Sequence, residues 1–204
     1  MEEVKSCIIF AGGDFVDFCS EGYIICADSG IINAQKNGLK PDLVLGDFDS
    51  YSGVLPQEAE QLSLPAEKDD TDLYYAVKEA VKRGFDDITL VSVLGSRPDH
   101  NFAAYSSLLY LAEHHCSCRI IGKDCLIYCL KNSSARFYRD EKYKYISLLP
   151  LEGDAFGVSI DGVKYPLLNA TIKSDFPIGV SNEIISDYCT VKVDNGTLLV
   201  MRTN

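Results

Sequence analysis

The chain has 204 residues, 47% of them apolar, with eight cysteines and a formal net charge of -11, which is material for one large core or two small ones. That surplus of carboxylates excludes a nucleic-acid binder, which needs basic faces to displace counterions, and favours a cationic or metal-carrying ligand. Met1-Glu2-Glu3-Val4-Lys5 leads straight into a short apolar segment, with no cleavable leader and no stretch able to span a bilayer, so the expectation is a cytoplasmic protein without a membrane partner.

Apolar and β-branched runs predict strands over 7–11, 23–27, 43–45, 88–94 and 119–121, alternating with helical patterns over 29–37, 57–62, 72–83 and 100–114. Such alternation means βαβ units and a parallel sheet covered by helices. The helix over 72–83 carries Leu73, Ala76, Val77, Ala80 and Val81 on one stripe and turns Lys78, Glu79 and Lys82 to water. Beyond about residue 130 the helical period stops. Strand-like runs at 145–149, 157–160, 189–193 and 197–200 are separated by Gly, Asp, Asn and Pro, with Asp161-Gly162 and Asn195-Gly196 as hairpin signals. The expected fold is α/β: an N-terminal parallel-sheet α/β domain over 1–130, then a small all-β sandwich over 131–204.

The chemistry gathers at the predicted strand ends. Gly46-Asp47-Phe48-Asp49-Ser50 directly follows Leu43-Val44-Leu45, so two carboxylates two residues apart point hard oxygen donors into the crevice where open α/β sheets bind ligands. Asp28 ends the run at 23–27, Lys68-Asp69-Asp70-Thr71-Asp72 opens a helix, and Arg97-Pro98-Asp99-His100 follows the run at 88–94. In a parallel sheet all of these reach one edge. Crowded carboxylates repel each other and any phosphate unless a divalent metal lies between them, so a metal-bridged polyphosphate is the natural occupant. Taken singly, each Asp reads as a helix cap or turn residue, and one of Asp69, Asp70 and Asp72 is expected to serve the helix that follows. Their coincidence at successive strand ends is what points to a site.

Arg97 and Lys68 are the candidates for phosphate contacts, although Lys68 reads equally as a solvated lysine stem. Gly12-Gly13 lacks the remaining spacing of a dinucleotide fingerprint and reads as a tight strand-to-helix turn. The cluster His114-His115-Cys116-Ser117-Cys118 has no second ligand pair at zinc-finger spacing and reads as a helix-to-strand junction. Cys7, Cys26, Cys125, Cys129 and Cys189 sit in apolar runs, where reduced thiols pack as small hydrophobes, and no disulfide framework is read.

Six segments occur in an order that resembles thiamine pyrophosphokinases over nearly the whole chain. They are Ala27-Asp28-Ser29-Gly30, Pro41-Asp42-Leu43-Val44-Leu45-Gly46-Asp47-Phe48-Asp49-Ser50, Lys68-Asp69-Asp70-Thr71-Asp72, Gly95-Ser96-Arg97-Pro98-Asp99-His100, Gly162-Val163-Lys164-Tyr165-Pro166-Leu167 and Gly179-Val180-Ser181-Asn182-Glu183. The resemblance implies an α/β nucleotide-binding domain followed by a β sandwich, and a homodimer whose thiamine pocket lies between subunits. It also implies Mg²⁺-assisted transfer of pyrophosphate from ATP to the hydroxyethyl arm of thiamine, releasing AMP. By this resemblance Asp28, Asp47, Asp49 and Asp72 form the Mg²⁺ and polyphosphate constellation, with Lys68, Asp69 and Thr71 beside it. Arg97 and Asp99 share the cleft, and Ser181 and Asn182 belong to the thiamine side.

Attack at the β-phosphorus needs an in-line hydroxyl and neutralised charge on the bridging oxygen, and Asp72 or Asp99 is the candidate base. Two departures from the family pattern are Ser29, where a second glycine is usual, and Asn101-Phe102-Ala103-Ala104, where the family tends to place an Asn near the end. The competing readings are a pyrophosphokinase acting on a hydroxymethyl pterin and a non-catalytic nucleotide-metal sensor.

Overall fold

The computed structural model describes residues 4–48, 51, 53–65 and 69–204. The chain divides into two compact units, Met1–Lys123 and Asp124–Asn204. The first contains, in order, β1 (Ser6–Phe10), β2 (Tyr23–Ala27), α1 (Gly30–Lys36), β3 (Leu43–Gly46), β4 (Glu60–Ser63), α2 (Asp72–Lys82), β5 (Asp87–Val91), α3 (Pro98–Glu113) and β6 (Ser117–Ile121). Its strands lie in the order β6-β5-β1-β2-β3-β4, and every adjacent pair is parallel. The chain therefore works outward from β1 to β4 and then returns to the far side of β1. The reversal between β1 and β5 opens the crevice in which such sheets bind ligands.

Strands buried on both faces need near-continuous apolar sequence, and Cys7 to Phe10, Ile24 to Ala27, Leu43 to Gly46 and Ile88 to Val91 are buried throughout. Ile8, Phe10, Ile24, Cys26 and Val44 form one cluster with Ile31 and Ala34 of α1. α2 buries Leu73, Ala76, Val77 and Ala80, each large side chain contributing roughly 1.5–3 kcal/mol relative to exposure. The cap of α2 is Thr71, whose hydroxyl accepts the Tyr74 N–H at 3.2 Å, while Asp72 in the first turn favours the helix dipole.

Four local readings are corrected. Residues 57–62 do not form a helix: β4 pairs in parallel with β3, with Glu60 N–H on Asp42 O at 2.8 Å and Leu64 N–H on Gly46 O at 2.9 Å. Arg83, the C-cap of α2, then grips Glu60 at 2.7 Å, and a free sheet edge outweighs the helical propensity of the segment. Glu79 does not face water, because it is 14% exposed and bound to Arg83 at 2.9 Å. The run to Leu94 stops as a strand at Val91, since Ser92 turns to φ 56°. Gly12-Gly13 is not a strand-to-helix turn; an irregular segment joins β1 to β2.

The second unit contains β7 (Cys125–Lys131), β8 (Ser134–Tyr138), β9 (Tyr145–Pro150), β10 (Ala155–Ile160), β11 (Leu167–Ile172), β12 (Asn182–Glu183), β13 (Tyr188–Lys192) and β14 (Thr197–Thr203). Antiparallel strands in the orders β12-β9-β14-β7 and β11-β10-β13-β8 enclose Phe137, Ile146, Leu148, Val158, Ile160, Val191, Leu198 and Val200. This is the expected sandwich, with buried residues alternating along β13 and running consecutively along β9 and β14. Asp161-Gly162 begins the antiparallel β10–β11 connection. Asn195-Gly196 does not make a hairpin, because β13 and β14 belong to different sheets. Buried Arg202 donates to Tyr138 O at 3.0 Å and Tyr143 O at 3.4 Å and fastens the β8–β9 connection. Among the described residues, no helix is long and apolar enough to cross a membrane.

Candidate active site

The segments that follow β1, β2, β3 and β5 meet the start of α2 around a cleft of about 630 Å³. After β2, Asp28 takes φ 46°, a conformation Asp tolerates better than most residues, and its N–H donates to Leu45 O at 2.7 Å. Its Oδ1 is buried with no hydrogen-bond partner among the described residues. At Gly46 a Cβ would lie 3.1 Å from Asp28 Cα, so β3 ends hard against this turn and delivers Asp47 beside it. After β1, a Cβ on Gly12 would lie 2.1 Å from Ser29 Oγ. Ser29 is accommodated because residue 12 has no side chain.

Asp28, Asp47, Thr71, Asp72 and Arg97 thus come together, joined by Asp70, Ser96 and His100 of the same quoted segments and by Asp14, which the strand-end reading did not name. Asp14 carried the same signal as the others, a carboxylate just past a buried strand. Asp70 is ion-paired with Lys78. Among the described residues, no three His, Cys, Asp or Glu side chains are grouped closely enough to hold a metal by themselves. The donor set is nonetheless one of hard oxygens, and the buried Oδ1 of Asp28 is an acceptor awaiting a partner, which suits Mg²⁺, an ion usually held by one or two carboxylates together with phosphate and water.

Asp69 and Asp99 do not line this cleft. They face an adjoining hollow of about 540 Å³ between α2 and α3, with Tyr74, Phe102, Tyr110 and Glu113. Asp99 pairs with Arg97 at 2.6 Å, both side chains being about two-thirds exposed (64% and 66%). The guanidinium holds the Asp99 carboxyl below the ordinary carboxylate range. The expected roles of Asp49 and Lys68 lie outside the described residues.

Ser181 and Asn182 lie in the second unit. Ser181 sits at φ 62° and its N–H donates to Ser147 Oγ at 2.9 Å. The Asn182 amide is taken up by main chain: Oδ1 accepts from Tyr165 N at 3.0 Å and Glu183 N at 2.9 Å, and Nδ2 donates to Tyr165 O at 2.7 Å. Asn182 therefore pins the Lys164-Tyr165-Pro166 segment, leaving the Tyr165 ring 62% exposed.

Residues 18–120 match the family model for thiamin pyrophosphokinase, catalytic domain. Residues 134–198 match the one for thiamin pyrophosphokinase, vitamin B1 binding domain. The thiamine pyrophosphokinase of Bacillus subtilis is 30% identical over 213 residues, covering 98% of this chain and 99% of its own. The crystal structure of the Bacillus subtilis enzyme superposes with a TM-score of 0.88 at 28% identity, over 98% and 99% of the two chains. That of the Geobacillus thermodenitrificans thiamin pyrophosphokinase gives 0.84 at 26% identity, over 98% and 97%. Thiamin pyrophosphokinase from Candida albicans, at 15% identity and a TM-score of 0.75 over 98% and 90%, shares the fold. With its two halves matching the two domain types in order, and a relative aligned nearly end to end, this chain belongs to the thiamin pyrophosphokinase family.

Proposed function

We propose that the cleft above β1, β2, β3 and β5 binds ATP, from which this family member transfers pyrophosphate to the hydroxyl of thiamine and releases AMP. The observation that carries the assignment is the convergence of Asp28, Asp47, Asp72 and Arg97 at the reversal of strand order. Neither competing reading finds support, since both halves match thiamin pyrophosphokinase domains.

Mg²⁺ is the proposed cofactor, held by Asp28, Asp47 and Asp49 together with nucleotide phosphate. When bound, it supplies neutralisation of charge on the phosphate oxygens. Arg97 contributes a planar two-pronged donor for phosphate and must share or release Asp99 to do so. Asp72 is assigned as the acceptor of the thiamine hydroxyl proton. Asp99 is the weaker base, because Arg97 keeps its carboxyl acidic, and it faces the adjoining hollow.

Lys68 and Asp69 are proposed to act at the rim of the nucleotide site, and Thr71 through its cap on α2. On the thiamine side, Asn182 acts by shaping the Tyr165 segment and Ser181 by holding its own turn against Ser147. The working form is proposed to be a homodimer in the cytoplasm, whose reducing conditions suit eight free thiols. Purified protein given ATP, Mg²⁺ and thiamine should yield AMP and thiamine diphosphate in equal amounts. Formation of ADP would make it a simple kinase and overturn the proposed reaction.

A further inference from the structure

The irregular segments that follow β1 and β5 lie side by side along the cleft and are fastened by a pair of asparagines from different helices. Asn33 of α1 is 5% exposed and donates to Ala11 O at 2.9 Å and Gly13 O at 3.1 Å. Asn101 of α3 accepts from Gly95 N at 2.9 Å and donates to Gly95 O at 2.9 Å. Between them, Asp14 N–H donates to Leu94 O at 2.7 Å and Gly13 N–H to Ser92 O at 2.7 Å. The approach is so close that a Cβ on Gly13 would lie 2.3 Å from Leu94 O.

The C=O and N–H of a trans peptide point in opposite directions, so these contacts line up head to tail. The Asn33 amide donates to the carbonyl of the Gly13-Asp14 peptide. The N–H of that peptide donates to the carbonyl of the Leu94-Gly95 peptide. The N–H of this second peptide donates to Asn101 Oδ1. Each bond polarises the next in the same sense, the arrangement in which hydrogen bonds strengthen one another. One end of the relay carries Gly12 and Asp14, and the other Ser96, Arg97 and His100, all lining the cleft.

We propose that Asn33 and Asn101 are positioning residues for the nucleotide, coupled through this two-peptide relay, which sets the Arg97 side of the cleft against the Gly12-Gly13 side. The proposal rests on the cleft being the ATP site. Neither asparagine touches the reacting atoms, so removing one should loosen phosphate alignment and leave thiamine recognition alone.

The test uses full-length Asn33→Ala, Asn101→Ala and the double variant, with KM for ATP and for thiamine, kcat, and binding of a non-hydrolysable ATP analogue with Mg²⁺. Each single variant is expected to raise KM for ATP about tenfold, from the loss of two hydrogen bonds, with KM for thiamine within about twofold. Cutting either end breaks the same relay, so the double variant should fall well short of the ~100-fold product. Asn37→Ala serves as the comparison: the Asn37 side chain bonds Val16 O at 3.0 Å, Phe18 N at 2.9 Å and the main-chain Asn33 O at 2.9 Å, supporting the same helix without touching either relay peptide or the Asn33 amide, and its loss should lower thermal stability without moving KM for ATP.

Independent effects multiplying to ~100-fold, equal shifts in both KM values, or the same ATP shift in Asn37→Ala would each overturn the proposal. If buried Asn33→Ala fails to fold, partly buried Asn101→Ala carries the KM split alone. Arg97→Ala separates the two levels. Unchanged analogue affinity there would refute the cleft as the ATP site and the relay with it, whereas weakened affinity beside normal asparagine variants would refute the relay alone.

Discussion

Replacing Asp28 with Asn should move stability and activity in opposite directions. The Asp28 side chain buries Oδ1 without a partner among the described residues, on a residue at φ 46°. Asn is nearly isosteric and tolerates that backbone conformation as well as Asp does, so the turn and its bond to Leu45 O at 2.7 Å should survive. Leaving a buried polar atom unsatisfied costs about 1–3 kcal/mol, and more when it is charged. The amide keeps the poor position but sheds the charge, so the ligand-free variant should gain about 1 kcal/mol, or ~2–4 °C for a chain of this size. Catalysis should fall more than tenfold, which corresponds to only ~1.4 kcal/mol of lost transition-state stabilisation. The assay is a thermal midpoint in chelator, repeated with Mg²⁺ and ATP, alongside steady-state rates. Ligand should raise the midpoint of the parent far more than that of the variant. A variant that keeps full activity, or melts lower than the parent in chelator, would show that Asp28 is a turn residue and not part of the metal-phosphate site.

Asp47→Asn and Asp49→Asn should each lower turnover more than tenfold in a folded protein, because each removes ligand charge at nearly constant volume; near-normal rates with unchanged Mg²⁺ dependence would reject the assignment. Arg97→Lys keeps the charge but loses the planar fork, so kcat should drop while the thermal midpoint holds, and parent-like kinetics would mark Arg97 as a surface residue. For the proposed dimer with its shared thiamine pocket, inactive Asp47→Ala and Asn182→Ala chains refolded as an equal mixture should regain roughly a quarter of parent activity, since about half the dimers are mixed and each holds one intact site of two. No recovery, with mixed dimers demonstrated, would refute shared sites.

Much of the architecture was legible in the sequence because it rests on local period and composition. Doubly covered strands must be apolar almost throughout, as Ile24 to Ala27 and Leu43 to Leu45 are, and a sandwich facing water on its outer sides must alternate, as Tyr188 to Lys192 does. Ligand chemistry belongs at the carboxyl edge of a parallel sheet, so carboxylates just past those runs point to the candidate cleft from the sequence alone. What the sequence left open depended on hydrogen bonds between segments far apart in the chain. Whether Glu60 joined a helix or a strand turned on the free edge of β3 and on Arg83. Which member of Asp69-Asp70 faced the cleft was set by the path into the Thr71 cap. Asn195-Gly196 has the composition of a hairpin, yet it carries the chain from one sheet to the other because Tyr188 to Lys192 and Thr197 to Thr203 pair with different neighbours. Nothing in the sequence marked Asn33 or Asn101 as a clip, although Asn101 opens a stretch that departs from the family pattern. An asparagine becomes a clip only when tertiary packing brings an orphaned peptide group within hydrogen-bond distance of it, and that proximity is a property of the folded chain.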